Sequence, residues 1–176
     1  MPTKLQLTFT ADAPKGDAIT ICLIGKDCQI IPDLDQALAA HLIDAMAAFQ
    51  FTGAVGKTML VYHNQTSYLL IGTGAELRAG AAAEKLGGKL FSALAETGAK
   101  RGWLIDHKLD DQLLADICFG AELASYHFDR YFTDNKSADA QVQLFVTASG
   151  LQADSPLMAD RRALANGVFV ARDLVF

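Results

Sequence analysis

The chain has 176 residues, of which 51% are hydrophobic and 20% charged, and its formal net charge is −5. This composition excludes a disordered protein and fits one domain with a buried core. Lys and Arg form no run, so we expect no nucleic-acid partner and no docking to an anionic membrane. No signal peptide and no apolar stretch of membrane-spanning length occurs in the sequence, which predicts a cytoplasmic location.

Strand and helix patterns alternate along the first half of the chain. Strands are predicted at 5–9 and 18–24, and two more at 58–63 and 67–71, joined by a hairpin turn at 64–66. A helix follows Pro32 and runs to about residue 50. Asp33 is the predicted cap of this helix, since Gln36 completes a capping-box pattern.

The second half continues the alternation, with helices predicted at about 75–98, after Asp110 and from Ser155 onward, and strands at 102–105 and 141–147. A polar loop is expected at 133–140. Gly87 and Gly88 lie inside a helix, where glycine is unfavourable, so they predict close approach to a neighbouring backbone. The last helix, about 156–175, has a predicted apolar face of Leu157, Leu164, Ala165, Val168, Ala171 and Val175. The order predicts an α/β domain with a mixed sheet and helices on both faces.

Residues 53–58 read G-A-V-G-K-T and are similar to a phosphate-binding loop. The full motif is G-x-x-x-x-G-K-S/T, and Phe51 stands where its first glycine belongs. Such a loop must also follow a strand and open a helix, whereas here a helix precedes and a strand follows. We therefore predict a helix-to-strand turn without a nucleotide role, and a solvated Lys57.

Other candidate motifs also favour structural interpretations. Gly72-Thr73-Gly74 follows a strand, but Leu77 replaces the third glycine of a dinucleotide fingerprint. It is predicted to be a strand-to-helix turn, with anion binding as the open alternative. The histidines share no ligand spacing, and the cysteines are expected to be reduced, buried thiols. The sequence thus predicts no catalytic, metal-binding or cofactor-binding residue in this chain. The histidines and cysteines to which no such role is assigned are His41, His63, His107, His127, Cys22, Cys28 and Cys118.

A set of motifs resembles the N-terminal domain of the leucyl (cytosol) aminopeptidases. A helix ending in Phe128-Asp129-Arg130-Tyr131 is followed by a lysine-bearing polar loop, and Phe51-x-Gly53-x-x-Gly56 resembles the family's F-x-G-x-x-G turn. The closing run 167–175, with Arg172 and Asp173, resembles the segment that joins the family's two domains. The resemblance covers essentially the whole chain in order.

The resemblance implies a macro-domain-like, three-layer fold for residues 1–176 as a single N-terminal accessory domain. Its last helix would lead into a catalytic domain that the chain does not contain, so the chain alone would be inactive. The parent enzyme would be a hexameric exopeptidase that releases N-terminal leucine and other residues with two divalent metals, Zn or Mn, held in the catalytic domain. The resemblance implies structural or interdomain roles for Phe128, Asp129, Arg130, Tyr131, Arg172 and Asp173.

Two alternatives remain open from the sequence. A stand-alone macro-like module could bind ADP-ribose or a related nucleotide at Gly72-Thr73-Gly74. An inactive paralogue could instead regulate the complete enzyme by joining its oligomer.

Overall fold

A computed structural model describes residues 5–105, 109–126, 141–148 and 150–175. Within these ranges the chain forms one mixed sheet of six strands with four α-helices, which confirms the predicted α/β class. In chain order the elements are β1 (Leu5–Thr10), β2 (Ile19–Gly25), α1 (Gln36–Ala48), β3 (Thr58–His63), β4 (Thr66–Gly74), α2 (Ala81–Glu96), β5 (Arg101–Leu104), α3 (Asp111–Ser125), β6 (Val142–Thr147) and α4 (Pro156–Val175).

The strand order across the sheet is β1-β6-β5-β2-β4-β3. Neighbouring strands are parallel except β3, which runs antiparallel to β4 at one edge. The predicted hairpin between these two strands is confirmed, and its turn residues Asn64 and Gln65 both have positive φ. Positive φ at both central positions is typical of the two-residue turn whose twist matches that of paired strands.

Helices cover the sheet on both faces. On one face α2 and α3 bury alternate strand residues such as Ile21 and Leu23. On the other face α1 covers Cys22, Ile24 and Leu70. The helix α4 packs on α3 through a small cluster of Phe119, Ala165 and Phe169, and near its start Met158 joins the core that the sheet forms with α2 and α3. No helix in the described ranges is both long and apolar enough to cross a membrane.

The predicted close approach at the paired glycines of α2 is confirmed. A Cβ on Gly87 would lie 1.9 Å from the carbonyl oxygen of Ile117 in α3, and a Cβ on Gly120 would lie 1.9 Å from the carbonyl oxygen of Glu84 in α2. Both distances are far below van der Waals contact. The two helices therefore cross with backbone against backbone, which only glycine permits at these positions.

Three predicted helix features are wrong. The cap of α1 is Asp35, not Asp33, since the Asp35 carboxylate accepts from the amides of Ala37 and Leu38. The helix α2 begins at Ala81 rather than near 75, because positive φ at Gly74 and Gly80 redirects the chain between them. The buried residues of α4 include Met158 and Phe169, whereas Leu164 is 52% exposed and Ala171 is also exposed. The apolar face predicted for α4 thus lies partly toward solvent.

Candidate functional site

The carboxyl ends of β2 and β4 are covered by residues 51–57, which we call the glycine turn. Gly53 has φ of 70°, and a Cβ there would lie 2.0 Å from the carbonyl oxygen of Gly25. A Cβ on Gly72 would lie 2.1 Å from the carbonyl oxygen of Ala54. In parallel sheets this end is where ligands usually bind. Here the space is filled by the chain's own backbone.

The amides that a phosphate would need are already used. Gly72 N donates to Lys57 O at 2.8 Å, and Gly74 N donates to Gly53 O at 2.9 Å. The helix α2 begins only at Ala81, so its N-terminus is not adjacent to these glycines. The expected strand-to-helix turn is therefore a longer connection, and neither the glycine turn nor Gly72-Thr73-Gly74 presents a phosphate cradle. As predicted, Lys57 is exposed.

A buried carboxylate joins three helices near the start of α2. Asp116 of α3 is 1% exposed, and its oxygens accept from Gly80 N at 2.6 Å and from Gln112 Nε2 at 3.1 Å. Arg161 of α4 completes the group, with Nη2 at 2.6 Å from the Asp116 carboxylate. Each carboxylate oxygen has at least one donor, and these hydrogen bonds hold the three helices together.

The two sequence-predicted residues at the end of α4 contact the end of α3. Arg172 Nη1 donates to Leu123 O at 3.3 Å, and its guanidinium lies 5.7 Å from the Tyr126 ring centroid. The Tyr126 hydroxyl donates to the Asp173 carboxylate. Tyr126 also stacks on Phe169, with ring centroids 4.8 Å apart. These contacts fix α4 against α3. The other four candidates, Phe128, Asp129, Arg130 and Tyr131, lie outside the described residues.

The described residues offer no cluster of three or more His, Cys, Asp or Glu side chains that could hold a metal ion. The structure does bring together His41 and His63, with ring centroids 4.4 Å apart. His41 Nε2 is 3.2 Å from Tyr62 O, and His63 Nε2 is 3.0 Å from Asn64 Nδ2. Two imidazoles already engaged with other groups do not supply the ligand set of a catalytic metal. The metals of a two-metal peptidase therefore do not fit this part of the chain.

The three cysteines are free thiols, and the expectation that they are buried holds for two of them. Burial raises the pKa of Cys22 and of Cys118 to about 12. Both thiols therefore stay protonated and unreactive at neutral pH. Cys28 is only half-buried, and its Sγ donates to Phe51 O at 2.8 Å, which ties it to the glycine turn.

Glu122 of α3 has a carboxyl group that is largely buried. Burial raises its pKa above the ordinary value, and Arg162 partly offsets that rise. Its Oε2 atom is buried without a hydrogen-bond partner. A raised carboxyl pKa can mark a general acid, but the titratable neighbours of Glu122 are the Arg162 cation and the buried, protonated Cys118 thiol, and neither accepts a proton from it at neutral pH. We assign it no catalytic role.

Known proteins resemble this chain in sequence. The sequence model of the N-terminal domain of the cytosol aminopeptidase family matches residues 26–135. A probable cytosol aminopeptidase of Rickettsia bellii is 31% identical over 187 aligned positions, which cover 97% of this chain and 37% of the relative. A probable cytosol aminopeptidase of Dinoroseobacter shibae is 40% identical over 87 positions, covering 49% of this chain and 17% of the relative.

Solved structures show the same fold. A mutant of tomato leucine aminopeptidase aligns with a TM-score of 0.76 at 16% identity, over 97% of this chain and 38% of that one. The bottromycin maturation enzyme BotP aligns with a TM-score of 0.63 at 18% identity, over 91% and 33% of the two chains. The chain thus spans little more than a third of the length of the relatives it matches. It belongs to the cytosol aminopeptidase family and corresponds to the N-terminal domain of that family's members.

Proposed function

We propose that residues 1–176 act as the accessory N-terminal domain of a cytoplasmic metallo-aminopeptidase. The observation that carries the proposal is the match of residues 26–135 to the family's N-terminal domain, together with a relative that aligns with 97% of this chain but with only 37% of its own length. The parent enzyme would hydrolyse N-terminal residues, leucine among them, from peptides. Two divalent metals, Zn or Mn, held by a catalytic domain outside these residues would activate water and polarise the scissile carbonyl.

This chain's own contribution is proposed to be structural. Its described residues lack a metal-binding cluster, and BotP, of which about a third shares the fold, has been solved in complex with Mn. We infer that the domain packs on its catalytic domain and supports assembly of a homo-hexamer. No nucleic acid or membrane is proposed as a partner.

The helix α4 is the proposed contact with the catalytic domain. Arg172 and Asp173 hold its end against α3. On the opposite side α4 exposes apolar side chains, with Leu164 at 52%, Val170 at 45% and Leu174 at 81%. An exposed apolar strip of this kind is typical of a surface that another unit covers. The segment from Phe128 to Tyr131 is proposed to serve the same interdomain role.

The activity test uses a leucyl chromogenic substrate with Mn²⁺ or Zn²⁺. We expect no metal-dependent release of leucine by the purified 176-residue chain, and release by the protein expressed from the reading frame extended beyond Phe176. Activity of the 176-residue chain alone would overturn the accessory role. A stop codon directly after Phe176, together with co-purification with a complete aminopeptidase, would favour the regulatory paralogue instead.

The contact surface can be tested separately. The substitution Leu174→Arg should leave the melting temperature of the 176-residue chain almost unchanged, because the side chain is already exposed. In the extended protein it should lower the melting temperature by several degrees, since a charge would be buried against the catalytic domain. Gln152→Arg, at an exposed position that precedes α4, is the matched control. Equal effects of the two substitutions would exclude this face of α4 from the interface.

A further inference from the structure

An open groove lies at the amino ends of β2, β4 and β5, at the edge of the sheet opposite the glycine turn. Its volume is about 600 Å³, which is within the range of small-molecule sites. We call it the Arg101 groove, after a wall that includes Pro14, Gly16, Thr66, Ser67, Arg101 and Trp103. None of the family motifs and none of the predicted site residues falls in it.

The Arg101 side chain is held in a defined position. Its Nη1 donates to Lys15 O at 2.8 Å, and its guanidinium lies 4.9 Å from the centroid of the Phe145 ring. Gly16, in the loop before β2, has φ of 86°, and a Cβ there would lie only 3.0 Å from Arg101 Nη1. This loop therefore lies close against the guanidinium. A guanidinium fixed by a carbonyl and an aromatic ring loses little further rotational freedom on binding an anion.

Arg101 also has unused hydrogen-bonding capacity. Its Nε is buried and donates to no acceptor, and no carboxylate of the described residues forms an ion pair with it. A buried cationic N–H group without an acceptor is costly. Arg101 lines the groove and is not paired with a carboxylate of the described residues, so a ligand carboxylate in the groove would meet a guanidinium whose charge is not neutralised and whose planar N–H groups suit two oxygens.

Two further residues of the groove, Trp103 and Asp17, indicate what the ligand carries besides its carboxylate. Trp103 is half-buried, and its indole Nε1 donates to Thr147 Oγ1 at 2.7 Å, so the ring is fixed and offers an apolar surface. Asp17 also lines the groove and would repel a multiply charged anion more strongly than a singly charged one. We propose that the Arg101 groove binds a small monocarboxylate with an apolar body, its carboxylate on Arg101 and its body against Trp103.

Trp103 makes the proposal directly testable, because it is the only tryptophan among the 176 residues. Benzoate should change the tryptophan fluorescence saturably, with a dissociation constant in the millimolar range that is typical of a fragment-sized ligand. Benzamide, the neutral analogue of the same shape, should bind at least tenfold more weakly, and inorganic phosphate should not bind. Equal responses to benzoate and benzamide, saturable binding of phosphate, or a benzoate response that does not saturate would each overturn the proposal.

Variants locate the site. Arg101→Gln should weaken benzoate binding at least tenfold in calorimetry, whereas Arg78→Gln, which removes an exposed arginine paired with Glu76, should leave it unchanged. If Arg101→Gln fails to fold, as judged by circular dichroism, Gln65→Glu provides the decisive variant. That substitution places a negative charge on an exposed residue of the groove wall and should weaken binding several-fold. Unchanged affinity in a folded Arg101→Gln protein, or in Gln65→Glu, would refute the assignment. The result is independent of the aminopeptidase role, since no peptidase activity is measured.

Discussion

At the carboxyl ends of β2 and β4, backbone lies directly on backbone, whereas at the amino ends of β2, β4 and β5 side chains surround an open groove. The closed end depends on glycine, since a Cβ on Gly53 or Gly72 would lie about 2 Å from a carbonyl oxygen. The open end is lined by large side chains, Arg101 and Trp103, and by the loop that Arg101 contacts through Lys15 O. The end at which parallel sheets usually bind ligands is therefore closed in this sheet by a tight backbone contact, and the opposite end carries the open groove.

The largest effect on stability is expected at Asp116, which holds the connection between β4 and α2 through the Gly80 amide. Asp116→Ala should lower the free energy of unfolding by about 3 kcal/mol or more, because it leaves Arg161 and the Gly80 amide without their buried partner. Urea denaturation followed by circular dichroism measures the change. Asp160→Ala, an exposed position on α4, is the control and should cost less than about 0.5 kcal/mol. Similar losses in both variants would contradict a structural role of the buried pair.

The glycine turn itself contains a matched pair of glycines. Gly53 and Gly56 have φ of 70° and 72°, but a Cβ on Gly56 would meet no atom within 4 Å. Gly56→Ala should therefore cost only the backbone strain, about 1–2 kcal/mol, and Gly53→Ala at least about 3 kcal/mol, because the chain must also move apart. Chemical denaturation distinguishes the two. If both substitutions lower the free energy of unfolding equally, the close backbone contact at Gly53 does not contribute to the stability of the protein.

The crossing of α2 and α3 offers a second test of backbone contact. Gly87→Ala should destabilise the protein by about 2–3 kcal/mol, since its Cβ would lie 1.9 Å from Ile117 O. At Gly88 the nearest atoms are 3.7 Å away, so Gly88→Ala should stabilise it by roughly 0.5–1 kcal/mol through helix propensity. Thermal unfolding should show melting temperatures that shift in opposite directions. A shift of the same sign in both variants would rule out the close crossing.

The smallest effect is expected at the open end. Gln65 has φ of 64° in the hairpin turn, a conformation that glycine adopts without strain. Gln65→Gly should raise the free energy of unfolding by about 0.5 kcal/mol, which urea denaturation in replicate can resolve. Ser67→Gly, in the strand that follows, is the control and should destabilise. A loss of stability in Gln65→Gly would mean that the Gln65 side chain contributes to packing at this end.

Local patterns sufficed for much of the fold. The alternation of strands and helices, the hairpin between β3 and β4, the start of α3 after Asp110 and the turn formed by G-A-V-G-K-T could all be predicted, because each depends on neighbours in the sequence. The paired glycines of α2 could also be interpreted, since glycine inside a helix needs a packing reason. What the sequence could not give was the partner, the Ile117 carbonyl in α3.

The errors and omissions have a common physical cause. The start of α2 depends on the change of chain direction at Gly74 and Gly80, and Gly80 is held in place by Asp116, which lies 36 positions further along the chain. The orientation of α4 depends on Arg161 reaching that same carboxylate. The Arg101 groove combines loops before β2, β4 and β5, none of which carries a recognisable motif. Only the start of α1 was a local error, because Asp33 and Asp35 are both plausible caps and the structure uses the second.

The pairing of β1 with β6 has a consequence for the order of folding. In the described sheet β1 lies at an edge and pairs only with β6, with Leu5 opposite Val142. During synthesis β1 therefore cannot pair until β6 has been made. At typical translation rates the delay between the two strands is on the order of ten seconds. The strands β2 to β5 form a contiguous block, and they can assemble on α2 in the meantime. We expect the nascent chain to hold its amino terminus unpaired until β6 leaves the ribosome, and the long-range β1–β6 closure to be the slow step of refolding.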